Sequence, residues 1–159
     1  MLEIEIIALG RLKESYLRDA VAEYSKRLKT MCSFKIIELE PVKLKDNPSP
    51  NEIAKALDKE ADEIFKKAGN SSIVAMCIEG KQLSSEEFSD FIKEQKLKGV
   101  SKLCFVIGSS CGLSRKVKDK AVFKFSVSKM TFPHQLFRVM LTEQIYRALS
   151  IEEGLKYHK

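Results

Sequence analysis

Two stretches of this chain mix polar positions with apolar side chains closely enough to bind and orient a small molecule. The first is "GSSCGL", Gly108 to Leu113, which follows the apolar run "KLCFVI" and precedes Ser114, a residue able to cap a helix. Its glycines permit either a tight turn or a close approach of backbone amides to a ligand. It has neither the GxGxxG spacing of a dinucleotide fold nor the GxxxxGK of a phosphate loop, so a tight turn with one glycine at positive φ is the simpler local reading. The second stretch is "FSVSKMTFPHQLFRV", Phe125 to Val139, which starts as a strand, passes through a polar and aromatic hinge, and enters a helix behind Pro133. Such a hinge can hold a flat heterocycle by backbone hydrogen bonds between the apolar walls of Met130 and Phe132. The same two side chains would serve equally well as core.

The charged candidates lie on the helix after that hinge and at the chain end. Gln135, Arg138 and Thr142 share one narrow sector of an otherwise apolar helix. Arg138 therefore needs an anionic partner, either a carboxylate in a buried ion pair or a substrate. Glu143 and Arg147, four apart in the favourable order, read as a structural pair. His134 falls in the first helical turn, where the dipole disfavours a charged imidazole, and a neutral hydrogen-bonding role is expected. His158 belongs to the terminal "YHK", which on local grounds is a frayed end.

These residues need a scaffold, and strand and helix patterns alternate along the chain. The first strand runs from Ile4 to Leu9 and ends at Gly10, followed by a helix with Leu17, Ala20, Val21, Tyr24 and Leu28 on one stripe. "FKIIELE" is the second strand. Ser49-Pro50-Asn51-Glu52 starts a helix with a capping box, and Gly69-Asn70 ends it. "SIVAMCI", carrying Met76, is a continuous apolar run expected to be buried on both faces of a parallel sheet. Ser84 to Glu87 offers a second capping box, "KLCFVIG" and "AVFKFSVS" are the fourth and fifth strands, and a last helix is expected from Pro133 to about Ser150. The result is a single-domain α/β protein over residues 1–159, with ligand-binding loops "EGK", "GSSCGL" and "SKMTF" beyond the C-terminal ends of the strands.

The net charge of +6 favours a polyanionic partner without requiring one. None of the four cysteines forms a CxxC or His/Cys metal spacing, so no metal is expected; Cys77 and Cys104 read as buried in strands, Cys32 and Cys111 as loop thiols. Free thiols suit a reducing cytoplasmic compartment. No signal peptide or membrane-length apolar run appears.

Taken together, "FVIG" with "GL" downstream, "SKMTFPHQLFRVMLTEQIYRA" and the terminal "YHK" closely resemble the RlmH family of SPOUT methyltransferases. The likeness extends to "ALGRLKE" near the start and "LSSEEF" in the middle. The resemblance implies a parallel-sheet SPOUT fold whose C-terminal part is threaded into a trefoil knot, an exception to the rule that chains do not thread loops. It further implies a homodimer that uses S-adenosyl-L-methionine to methylate the N3 ring nitrogen of a pseudouridine in helix 69 of 23S rRNA, within the assembled 70S ribosome. By position, the cofactor contacts would be Met76, Gly108, Val127, Ser128, Lys129, Met130, Thr131 and Phe132. Arg138, His158 and Lys159 are the cations that could stabilise an anionic uracil ring. Ser109 and Cys111 depart from the glycine and asparagine often found there in the family. That departure supports an alternative, a ribosome-associated RNA-binding module of the same fold without activity.

Overall fold

A computed structural model describes all residues, Met1 to Lys159. Five strands alternate with five helices: β1 (Glu3–Leu9), α1 (Ser15–Leu28), β2 (Ser33–Leu39), α2 (Pro50–Ala68), β3 (Ser72–Gln82), α3 (Ser85–Leu97), β4 (Lys102–Ile107), α4 (Arg115–Lys120), β5 (Phe123–Ser126) and α5 (His134–Glu152). The strands form one sheet in the order β2-β1-β4-β3-β5, and every pairing is parallel.

Strand alternation divides the core in two. Ile4, Ile6, Phe105 and Phe125 pack with Phe88 and Ile92 of α3 and with Leu141 and Ile145 of α5. Ile7, Val106 and Ala75 face Ala61 and Ile64 of α2 and Val117 of α4. Burial on both faces accounts for the unbroken apolar runs of the central strands. The helix starts obey the capping rules: both Ser49 with Glu52 and Ser84 with Glu87 make reciprocal capping boxes. Gly69 closes α2 at φ 57°.

Three boundaries differ from the sequence reading, each for a physical reason. Pro133 is the N-cap of α5 rather than its first helical residue. β5 is shorter than "AVFKFSVS" suggests, because Val127 and Ser128 leave the ladder to form the hinge. The third concerns "EGK", which is not a loop beyond the third strand. β3 continues to Gln82 through a bulge between Met76 and Lys81, and its second half pairs again with β5, Lys81 opposite Phe125 and Gln82 opposite Ser126. At the crossing, a Cβ built on Gly80 would lie 2.7 Å from backbone atoms of Lys124 and Phe125. Only glycine lets the two chain segments approach this closely.

Candidate active site

The C-terminal ends of β3, β4 and β5 enclose a cleft of about 350 Å³. Its walls come from the bulged half of β3, the turn after β4 and the hinge after β5, which is where a parallel α/β sheet places its ligands.

The turn after β4 is a tight one. Gly112 donates its amide to the Ser109 carbonyl at 2.9 Å and sits at φ 87°, so the positive-φ glycine is Gly112. Gly108 is required for a different reason, since a Cβ there would overlap the Gly112 carbonyl and press on the Leu113 side chain at 3.0 Å. Its smallness serves the turn itself. The buried Ser109 hydroxyl donates to Glu60 Oε1 at 2.9 Å, and Glu60 Oε2 accepts the Val42 amide at 2.9 Å. Ser114 caps α4 and donates to Asp58 Oδ1 at 2.7 Å. Two carboxylates of α2 thereby fix both ends of the turn. Glu60 escaped the sequence reading, although an acidic residue on the apolar side of an amphipathic helix was a usable signal.

The hinge after β5 is shaped by its own serines. Ser126 Oγ donates to the Ser128 carbonyl at 2.9 Å, and the Met130 amide donates to Ser128 Oγ at 3.0 Å. Met130 is 73% exposed, so it is not core; it overhangs the cleft. Met76, Gly108, Val127, Ser128, Met130, Thr131 and Phe132 all line the one cleft, whereas Lys129 is exposed and does not line it. His134 and Phe137 of α5, Cys77, Ile78 and Glu79 of β3, and Lys118 of α4 also line it, and none of these was singled out as a cofactor contact from sequence.

The three candidate cations lie elsewhere in this protomer. Arg138 is 2% exposed; its Nη1 donates to Glu38 Oε2 at 2.6 Å and its Nη2 to the Gly10 carbonyl at 3.0 Å. Of its two readings, the geometry is that of the buried ion pair, which ties α5 to β2, while the bond to Gly10 ties it to the loop after β1. Gln135 Oε1 reinforces that tie by accepting the Lys13 amide at 2.9 Å. His158 sits between α3 and α5, its Nε2 2.8 Å from Glu86 and its Nδ1 3.3 Å from Arg147. Hydrogen bonding to His158 holds the Glu86 carboxyl below its ordinary range. Tyr157 donates its hydroxyl to Glu143 at 3.0 Å and packs edge-on against Tyr146; burial pushes its phenol well above the ordinary value. The tail is therefore anchored rather than frayed, while Lys159 is exposed.

The thiols sort by burial. Desolvation raises Cys104 strongly and pushes Cys32 up to about 11, and it also raises Cys77. Cys111 is exposed on the cleft rim. Iodoacetamide at pH 8 should alkylate Cys111 first and leave Cys32 and Cys104 unmodified, because only a thiolate attacks. Peptide mass spectrometry reads the order, and early labelling of Cys104 would contradict the packing of β4.

A family model described as "Predicted SPOUT methyltransferase" matches residues 2–158. The chain belongs to this family. Among curated SPOUT relatives, ribosomal RNA large subunit methyltransferase H of Streptococcus uberis is 48% identical over 99% of this chain and 100% of its own length. The protein of the same name from Clostridium tetani is 50% identical with the same coverage. Among solved structures, a probable methyltransferase from Bordetella pertussis superposes with a TM-score of 0.55 at 10% identity, covering 93% of this chain and 96% of its own. A probable methylase family protein from Haemophilus influenzae gives 0.56 at 12% identity, covering 97% and 68%. At such identities these two structures establish the SPOUT fold and nothing finer.

Proposed function

We propose that this chain transfers the methyl group of S-adenosyl-L-methionine to the N3 ring nitrogen of a pseudouridine in helix 69 of 23S rRNA, acting in the cytoplasm as a homodimer on the assembled 70S ribosome. The observation that carries the cofactor reading is the convergence of seven motif residues, drawn from three separate strand ends, on one cleft. The residues present suit this cofactor. Apolar Met76, Ile107, Leu113 and Phe125, with the glycine-containing turn after β4 and the hinge after β5 as backbone walls, accept a flat uncharged ring. The rRNA reading draws on the names of the close relatives, which span the same length.

S-adenosyl-L-methionine, when bound, supplies a methyl group on a sulfonium, already a strong donor. What the protein adds is alignment and exclusion of water. The hinge fixed by Ser126 and Ser128 and the turn fixed by Glu60 and Asp58 hold the cleft open at constant width. An anionic ring nitrogen on the substrate needs cations close by. His158 and Lys159 lie away from their own cleft, so in a homodimer they act at the partner's cleft, with exposed Leu136 and half-buried Met140 of α5 as part of the contact between subunits. The trefoil threading expected of the family would run through the hinge and the β3–β5 crossing. The inactive-module alternative rested on Ser109 and Cys111; Ser109 has a defined partner in Glu60, which removes half of that support.

Five strands and five helices occupy nearly the whole chain and leave no separate RNA-reading module. A net charge of +6 per chain attracts phosphate but cannot select one nucleotide. Selectivity then needs a shaped surface of the assembled particle. With labelled cofactor, 70S ribosomes lacking the modification should be methylated at one pseudouridine, and naked 23S rRNA or an isolated hairpin at the same salt should be methylated little or not at all. Equal rates on the hairpin would overturn the ribosome requirement, and no incorporation into any of them would overturn the proposed substrate.

A further inference from the structure

The cleft contains one ion pair. Glu79, from the bulged half of β3, and Lys118, from α4, both line it, and their carboxylate and ammonium meet at 2.5 Å. The Glu79 side chain is 50% exposed and that of Lys118 27%, which places the pair at the mouth rather than in the depth. The hydrogen bond from Lys118 holds the Glu79 carboxyl below its ordinary range. A pair this exposed contributes only about 0–1 kcal/mol to folding. Val117, next to Lys118, already anchors α4 to the core. The pair is thus not needed to hold the fold, yet it sets two opposite charges side by side on the wall of a cleft lined by no other carboxylate, lysine or arginine.

We infer that Glu79 and Lys118 together receive the zwitterionic α-amino-acid end of the cofactor, Glu79 facing its ammonium and Lys118 its carboxylate. This rests on the S-adenosyl-L-methionine reading above. Desolvation sorts the ligand along the cleft: an uncharged heterocycle can enter the apolar depth beside Met76, Ile107 and Leu113, whereas ionised groups lose several kcal/mol if taken from water unpaired and so stay at the mouth. At the mouth, a zwitterion needs one anion and one cation within reach of each other. Other nearby cations do not meet that need, since neither Lys124 nor Lys129 lines the cleft and Arg138 is committed to Glu38. When the zwitterion docks, the protein's pair exchanges one partner each for a ligand group of the same sign, so no charge is left unpaired. The pair would then act as a specificity element for the amino-acid end, separate from the backbone walls that hold the ring.

Calorimetry with three ligands tests this: S-adenosylmethionine, S-adenosylhomocysteine, and 5'-methylthioadenosine, which keeps the adenosine and thioether but lacks the amino-acid end. Glu79→Gln and Lys118→Met should each weaken the first two by about fivefold and leave the third unchanged. Thermal unfolding of the ligand-free variants should match the parent, which removes misfolding as a cause. Unchanged affinity for S-adenosylmethionine in both variants would overturn the inference. Equal weakening of 5'-methylthioadenosine would also overturn it, by assigning the pair to the ribose. Failure of the parent protein to bind any of the three would instead overturn the cofactor reading on which it rests.

Discussion

Gly80→Ala is expected to destabilise the protein by about 3 kcal/mol, at the upper end of what overpacking usually costs. The added methyl would lie 2.7 Å from three backbone atoms of Lys124 and Phe125, and backbone cannot swing aside as a flexible side chain can. Relief requires parting the second half of β3 from β5, which breaks the Lys81–Phe125 and Gln82–Ser126 pairings and shifts the hinge that follows Ser126. Cofactor binding should therefore fall together with stability. Calorimetry measures the first and urea denaturation the second, with Lys81→Ala, at an exposed position on the same segment outside the cleft, as the control. An alanine variant with the parent's midpoint would show that the two strands do not cross this closely in solution.

Removing Tyr157 to Lys159 should lower methylation by about a hundredfold or more, the scale lost when a positioning group goes, while cofactor affinity stays within about twofold. The tail does not line its own cleft, and in the homodimer proposed above its cations face the substrate ring rather than the cofactor, so cofactor binding should be nearly unaffected. It is held by the Tyr157–Glu143 and His158–Glu86 contacts, at the outer side of α3 and α5. Single-turnover methylation of 70S particles, set beside calorimetry on the same protein, separates the two effects. Retained methylation would reduce the tail to a packing element. Lost cofactor affinity would mean that the tail reaches a cleft in the absence of substrate.

Much of the architecture was legible because each signal acts locally. Capping boxes at Ser49 and Ser84 mark helix starts whatever surrounds them, and continuous apolar runs can hide both faces only inside a parallel sheet. The site was legible in part. The hinge residues stood out by their mixture of polar and aromatic types, but Glu79 and Lys118, 39 positions apart, become neighbours only through the β3 bulge and the placement of α4. Arg138 could be read as needing an anion but not which one, because Glu38 lies on a strand 100 residues earlier in the chain. Gly80 gave no local sign, since what it avoids is the backbone of a segment more than forty residues downstream.

The strand order also governs when the protein can come into being. β1 finds β4 as its neighbour, and β3 has β5 as its second neighbour, so neither pairing can close until a long stretch of later chain has been synthesised. Parallel pairings of such long sequence separation are slow to form, because closing the intervening loop precedes any gain from contact. On the ribosome, a nascent chain ending before Phe123 has β3 with one unpaired edge and a cleft lacking an entire wall. The cleft is then complete only once the hinge beyond β5 has been made, and refolding from denaturant should show it: recovery of ligand affinity should lag behind recovery of helical circular dichroism.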